Sequence, residues 1–482
     1  MKKFPPLTPF LISTFFVLVN HRELQPFVKW EELVGVWLVA MLITGAVFGL
    51  VHFFVKDRLK AALLSGLIMV SFCFYGDIDF RLKWLLVSVG LPALAHARYL
   101  LPVIVGAFLL SGWLILRKDW PLLRFKAAVR VCITAMVVST LLLLHLFPSQ
   151  FVSRRDRPRE VDEHGPFLRT ENRPDIYYIL LDCYTGSENL KKFWDYDNAP
   201  FTSFLEANGF FVVPNARANY DATPRCLASA LNMAHIKRPP ADLSAWGRVN
   251  RMCEIIDLAA APRKLQEIGY EVVNLSLFDV AGLPQHYQVH FLDNMSLADL
   301  LRHKSLAGYA AAWWQRRQIA EVHQDIFDRL KKLPAESDPA RPRFIYAHIL
   351  APHWPYVFNR HGLRPDPLNI GGAPQDYLEQ LIYVNQLVTN VVGEIRSKSK
   401  TPPIIILQGD HGFRFLPEPN QRESASKILN AYYLPGGQRE WVYEGITPVN
   451  SFRMIFNHYF GAHYPRQRDE FYHGSDTLPL NP

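Results

Sequence analysis

Six apolar or aromatic residues in a row, Ile176 to Leu181, stand between Pro174 and Gly186 and run directly into Asp182. A run that is apolar at every position, rather than at every second one, fits a strand covered on both faces. Strands of that kind belong to open α/β sheets. A carboxylate just past one sits at its carboxyl end, the edge where such sheets bind ligands. The run Pro403 to Leu407 repeats the pattern and is followed by Gln408, Gly409, Asp410, His411 and Gly412. The two runs are expected to deliver Asp182, Asp410 and His411 to one rim.

From Arg173 onward, strand-like and helix-like segments alternate, which argues for a layered α/β sheet. Helical patterning is expected over Ala199 to Asn208, Pro262 to Ile268, Leu297 to Lys332, Asp376 to Ser397 and Val449 to Tyr459. Short strands are expected at FFVV, EVVNLSL, FIYAHIL and ILNAYYL. No internal repeat or low-complexity tract interrupts the series.

The first third of the 482 residues is different. Apolar runs at about Leu7 to Val19, Leu33 to Val55, Ala61 to Tyr75, Tyr99 to Leu116 and Ala127 to Phe147 approach the roughly 20 residues that span a bilayer. No small-residue cleavage site follows the first run, so it reads as an uncleaved anchor. Trp84 to Ala95 is apolar but short, and is placed at the membrane interface. The reading is thus a transmembrane anchor of about five helices over residues 1–148, a linker over 149–173, and an α/β domain over 174–482.

The net charge of +8 does not point to nucleic acid. Much of the excess lies beside apolar runs, at Lys2 and Lys3, Lys56 to Lys60, and Arg117 to Lys126. Five spans put all three patches on one face, which the positive-inside rule makes cytoplasmic. The α/β domain then lies outside the cytoplasm. The basic stretch SRRDRPRE from Ser153 falls on the other side and runs against that rule. Of the five cysteines, Cys183, Cys226 and Cys253 lie outside the apolar spans, which leaves room for at most one bridge among them.

Thr223 precedes Pro224 and the helical run RCLASALNM. Thr suits an N-cap and Pro the first helical position, so Thr223 is expected at a helix N-terminus, where backbone N–H groups and the dipole favour an anion. A hydroxyl placed there beside a divalent metal can attack phosphorus or sulfur. A plain capping Thr has the same local signature. Asp410 and His411 supply oxygen and nitrogen donors suited to Zn²⁺ or Mn²⁺, with Mg²⁺ or Ca²⁺ as alternatives. Asp182, Thr223, Asp410 and His411 form the expected metal set, with Thr223 as nucleophile. His348, inside the strand FIYAHIL, reads as a core histidine. His353, in the loop after it, falls on the same edge and is a candidate for proton transfer. Arg225 and His473 are candidates for substrate binding.

Taken in order, the apolar spans, PDIYYILLD, NYDATPRCLASALNM, HILAPHWPYVF and QGDHG resemble the membrane-anchored, sulfatase-like members of the alkaline phosphatase superfamily. Phosphoethanolamine transferases and lipoteichoic acid synthases are relatives of that kind. The resemblance covers about Pro174 to the C-terminus. It implies an alkaline-phosphatase-like α/β fold, metal ligation by Asp182, Thr223, Asp410 and His411, covalent catalysis through Thr223, and a substrate-side role for His353. It also implies the bacterial inner (cytoplasmic) membrane, with the catalytic domain in the periplasm. Two departures stand out. Sulfatases place Cys or Ser two residues before a Pro, with Arg two residues after it. Here Ala222 holds the first place and Arg225 follows Pro224 directly, which argues against a formylglycine nucleophile and sets Thr223 one place past the sulfatase one. The three outer cysteines are also fewer than the several disulfides typical of phosphoethanolamine transferases.

The expected function is transfer of a phosphoryl-alcohol group, phosphoethanolamine or phosphoglycerol, from a membrane lipid donor to an envelope glycan or lipid. The alternative is a hydrolase of the same chemistry acting on an envelope polysaccharide or lipid. A non-catalytic scaffold with a degenerate enzyme domain is the third reading, and the full ligand set argues against it.

Overall fold

A computed structural model describes residues 7–25, 27–89, 97–117, 173–236, 243–287, 296–363, 374–417, 419–437 and 440–473, with isolated positions at 91 and between 134 and 141. The chain divides into two compact units. One takes residues 1–152 together with 295–312, and the other takes 153–294 and 313–482.

The first unit is helical. Its helices are Thr8–Glu23, Trp30–Val55, Arg58–Cys73, Tyr75–Ser88 and Ala97–Leu116. Among the described residues one helix, Trp30–Val55, is long and apolar enough to cross a membrane. Its 26 residues reach roughly 39 Å at 1.5 Å per residue. Its apolar side chains point outward, Leu42 and Phe53 being more than 70% exposed. Arg58–Cys73 and Tyr75–Leu86 would form a second span only as a pair bent by 65°. The run at Leu7 to Val19 lies in a 16-residue helix that buries Ser13 and Asn20. Ser13 and Thr44 share a hydrogen bond of 2.7 Å, and Asp57 caps the third helix by accepting from Leu59 and Lys60. Apart from isolated positions between 134 and 141 and residue 173, the fifth expected span and the linker fall outside the described residues.

One helix of this unit comes from much later in the chain. The pattern over Leu297 to Lys332 predicts one helix, but two form, Leu297–Lys304 and Leu306–Lys332. Ser305 between them has extended backbone, with ψ 167°. Ser296 caps the first piece by accepting from Asp299 N–H. That piece packs among the N-terminal helices. Glu32 accepts from Leu297 N–H at 2.7 Å, and Lys304 pairs with Glu23 at 3.0 Å. A Cβ on Gly76 would lie 2.8 Å from the Lys304 carbonyl oxygen, which explains glycine at that contact.

The second unit is built on a six-stranded mixed sheet. Its strands are β1 (Ile176–Leu181), β2 (Phe211–Val212), β3 (Glu271–Leu275), β4 (Arg343–Ile349), β7 (Ile404–Gly409) and β8 (Asn430–Tyr433), in the order β2-β8-β7-β1-β4-β3. A two-residue hairpin, β5 (Phe358–Asn359) with β6 (Gly362–Leu363), stands apart. β1 is central and runs parallel to both β4 and β7. All of its residues are at most 1% exposed, which is why its sequence does not alternate. Each buried Ile or Leu there contributes roughly 2 kcal/mol of transfer free energy. After β1 the chain places the two-residue β2 at the far edge, builds β3 and β4 on the opposite side, and then crosses back to β7 and β8. β1 is therefore the switch point of the sheet.

The two ends of the sheet differ. At the amino end, buried Asp175 accepts from Arg343 N–H and from its guanidinium, at 2.8 and 3.1 Å. In the middle of the sheet, Tyr178, Gln408, Asn430, Ser451 and Tyr432 form a closed polar network inside the core. The carboxyl end holds Asp182, His348, His353, Asp410 and His411.

Candidate metal and nucleophile site

Asp182 leaves β1 in a tight turn. The next residue, Cys183, has φ 66°, a left-handed conformation unusual for a side chain with a Cβ. That turn aims the Cys183 N–H at Asp410 Oδ1, 2.9 Å away. The same oxygen accepts the His411 N–H at 2.7 Å. Asp410 is thus locked through Oδ1. Its other oxygen, Oδ2, is buried and has no hydrogen-bond partner among the described residues, lying 3.5 Å from His411 Nε2.

The glycines of QGDHG are fixed by crowding rather than by φ. A Cβ at Gly409 would stand 2.6 Å from the Tyr184 carbonyl oxygen. At Gly412 it would stand 2.1 Å from that of Ser424 and 2.4 Å from that of Lys427. The backbone on either side of Asp410 and His411 is clamped by neighbours that leave no space for a side chain.

Thr223 opens the helix Thr223–Asn232. It occupies the first helical position, with Ala222 at the N-cap, one place later than its residue type predicts. Its hydroxyl does not cap the helix. It lies 3.3 and 3.4 Å from the Asp182 carboxylate oxygens and 3.2 Å from His411 Nε2. His411 Nδ1 faces the Gly412 carbonyl at 2.8 Å. A carbonyl only accepts, so Nδ1 carries the proton and Nε2 presents its lone pair to the site.

Asp182, Asp410 and His411 are all buried, and one donor atom of each lies within 4.8 Å of the others. Two carboxylates, a correctly oriented imidazole and an orphaned Asp410 oxygen fit a divalent cation, with the Thr223 hydroxyl beside it. Burial opposes ionisation of Asp182. The neighbouring imidazoles of His353, His348 and His411, the second hydrogen-bonded to it, outweigh that and bring the carboxyl down to about 2.

His348, read from sequence as a core residue, belongs to this site. Its Nε2 lies 3.2 Å from Asp182 Oδ2, and its ring stacks on Phe278 at 5.8 Å between centroids. The signal was one polar residue in an apolar strand ending on the functional rim. His353 N–H donates to the Asp182 carbonyl at 3.1 Å, its ring Nδ1 donates to the Trp354 carbonyl, and its ring lies 6.4 Å from that of His411. Burial lowers its pKa, and the nearby Arg414 charge adds to that. Arg414 is a further residue that sequence reasoning missed. Its signal was a cation set among Gly and Phe three places after His411.

The other expected residues are placed differently. Arg225 stacks over Tyr220 at 4.3 Å and donates to the Ile236 carbonyl at 3.5 Å. His473 pairs with Asp221, two residues before Thr223, at 2.9 Å. Cys183, Cys226 and Cys253 are all buried free thiols.

Residues 262–479 match the family model described as Sulfatase. The matched part includes His348, His353, Asp410 and His411, the half of the site contributed by β4 and β7. Over those residues the chain is similar to sulfatases. The end of β1 and the start of the helix Thr223–Asn232 supply the remaining half, Asp182 and Thr223, from residues before the matched part. A search of curated proteins finds no match. Among solved structures, the C-terminal periplasmic domain of EptC from Escherichia coli is 13% identical, with 62% of this chain and 87% of that chain covered and a TM-score of 0.39. The integral membrane lipooligosaccharide phosphoethanolamine transferase A (EptA) from Neisseria meningitidis is 12% identical, with 93% and 92% covered and a TM-score of 0.38. A protein of Bacteroides thetaiotaomicron described with the metabolism of multiple glycosaminoglycans is 12% identical, with 59% and 72% covered and a TM-score of 0.38.

Proposed function

We propose that the sulfatase-like domain transfers a phosphoryl-alcohol group through Thr223. The observation that carries this reading is the position of the Thr223 hydroxyl, within 3.4 Å of both the Asp182 carboxylate and His411 Nε2 at the start of a helix. A threonine that only capped the helix would turn its oxygen to backbone N–H groups.

A divalent metal, Zn²⁺ or Mn²⁺, held by Asp182, Asp410, His411 and Thr223 would supply a lower hydroxyl pKa and offset the charge that develops at phosphorus. Thr223 Oγ1 forms a bond to phosphorus as the bond to the donor alcohol breaks. The threonine gives up its proton and the departing oxygen takes one, with His353 as the proton carrier on the rim. In the second half the acceptor hydroxyl loses its proton to His353, its oxygen bonds to phosphorus, the Thr223–phosphorus bond breaks, and His353 passes that proton to Thr223 Oγ1. Burial keeps His353 neutral at rest, the state a base requires. The helix N-terminus stabilises negative charge on the transferred group.

The donor in this reading is a membrane phospholipid of phosphoethanolamine or phosphoglycerol type, and the acceptor is an envelope glycan or lipid. The apolar helix Trp30–Val55 and the basic patches flanking the apolar runs support a membrane anchor with the domain outside the cytoplasm. A second reading, hydrolysis of an envelope ester with water as acceptor, draws support from the Sulfatase family match.

The test is incubation of metal-loaded protein with labelled phospholipid, followed by mass spectrometry of the Thr223 peptide. A phosphoryl-alcohol adduct on Thr223, absent in Thr223→Ala, is expected. No adduct in the presence of metal and lipid refutes the threonine mechanism. Release of free phosphoryl alcohol without any acceptor assigns the hydrolytic reading.

A further inference from the structure

A buried guanidinium ordinarily meets a carboxylate, because desolvating an unpaired charge is costly. Arg414 is only 8% exposed, yet among the described residues it forms no ion pair with a carboxylate. Its Nη1 donates to the Asp221 carbonyl at 3.3 Å, and its guanidinium lies 5.5 Å from the Phe415 ring. Those contacts hold the side chain in place without neutralising it. They also tie it to both halves of the site. Asp221 leads into Thr223, and Phe415 packs on His353 with 5.8 Å between ring centroids. The neighbouring arginine, Arg225, is engaged with Tyr220 and Ile236.

We propose that Arg414 grips a non-bridging oxygen of the ester that Thr223 attacks, and that this ester group bears a single negative charge. The assignment of Arg414 rests on the reading of Thr223 as nucleophile. A divalent cation held by Asp182 and Asp410 would balance those two carboxylates, and the Asp221 carboxylate is engaged by His473 at 2.9 Å. Arg414 then adds one positive charge, which a monoanion neutralises and a dianion exceeds. A phosphodiester and a sulfate monoester share that chemistry. The planar fork of the guanidinium suits two oxygens of such a tetrahedral group.

The experiment uses full-length, Zn²⁺-loaded protein in detergent carrying Thr223→Ala, so that binding is read without turnover. Dissociation constants for dimethyl phosphate and methyl sulfate are measured by ligand-detected NMR, with and without Arg414→Gln, alongside zinc content and melting temperature. Loss of a charge-assisted hydrogen bond is expected to weaken the better ligand by about tenfold or more, with Arg414→Lys recovering part of it and Arg225→Gln having no effect. Unchanged affinity in Arg414→Gln, at full zinc content and melting temperature, overturns the proposal. If Arg414→Gln does not fold, dimethyl phosphate must slow modification of Arg414 by phenylglyoxal in the Thr223→Ala parent, and an unchanged rate overturns it equally. Whichever monoanion binds better identifies the ester class. A Thr223 adduct with undiminished binding in Arg414→Gln sinks only the Arg414 assignment. Binding lost in Arg414→Gln with no adduct in wild type sinks only the threonine mechanism.

Discussion

The N–H of Cys183 donates to Asp410 Oδ1 at 2.9 Å, joining the turn after β1 to the end of β7. This bond registers the two expected metal carboxylates against each other. It fixes which Asp410 oxygen faces the backbone and leaves Oδ2 for the site. Asp410 is therefore a clamp between adjacent strands through one oxygen, and the other oxygen is the one offered to the proposed metal.

Asp410→Asn separates those roles. An amide keeps a carbonyl oxygen for the Cys183 and His411 N–H groups but removes the charge. The fold is expected to survive, with melting within a few degrees of wild type, while bound metal drops well below one equivalent and activity falls by at least a hundredfold. Elemental analysis of the purified protein beside a thermal melt checks both halves. Chelation of wild-type protein is expected to reproduce the loss of activity, and re-addition of Zn²⁺ or Mn²⁺ to reverse it.

Gly412→Ala tests the crowding around His411. The added methyl would fall 2.1 Å from the Ser424 carbonyl oxygen and 2.4 Å from that of Lys427, both backbone atoms. The segment must move, and the Gly412 N–H to Ala425 bond of 2.7 Å moves with it. A loss of about 2 kcal/mol or more in unfolding free energy is expected, with reduced metal content. Gly393, whose Cβ would meet nothing within 4 Å, is the matched control, and Gly393→Ala is expected to be neutral or slightly stabilising.

Asp175 and Arg343 make the corresponding test at the other end of the sheet. Both are buried and mutually hydrogen-bonded, and neither is near the carboxyl rim. Asp175→Ala leaves Arg343 buried without its partner and is expected to cost roughly 3–5 kcal/mol of stability. Metal stoichiometry and KM of the folded fraction should match wild type. Denaturant melts and metal analysis of the same preparation measure the two effects.

The strands were legible because continuous apolar runs admit few other arrangements. Ile176–Leu181 and Ile404–Gly409 form where the pattern places them, and their ends meet. Asp182, Thr223, Asp410 and His411 follow from strand ends and a Thr-Pro helix start. Three features escaped. His348 looked like core because its polarity is spent on Asp182, a contact between β4 and the end of β1 that local sequence does not encode. Arg414 is defined by the absence of a carboxylate partner among the described residues, which is a tertiary fact. The break at Ser305 was hidden because the apolar spacing continues through it. The helix Leu297–Lys304 answers to Glu23 and Glu32, far away in sequence, rather than to the residues that follow it.

His323 supplies a pH dependence that owes nothing to the metal set. It lies on the helix Leu306–Lys332, is buried, and neither ring nitrogen has a hydrogen-bond partner among the described residues. Burial, helped by repulsion from His348, lowers its pKa from 6.5 to about 3. The unfolded chain therefore takes up a proton near pH 6.5 that the folded chain refuses until about pH 3. Stability conferred by the neutral ring is complete above pH 6.5 and declines as the pH falls through that window. At pH 5 the decline amounts to about 2 kcal/mol. His323→Phe, which keeps an aromatic ring beside Phe358, is expected to abolish this part of the acid sensitivity. Urea midpoints for both proteins at pH 7.5 and pH 5.0 decide the matter. Equal drops in wild type and variant would mean that His323 is not the group refusing the proton.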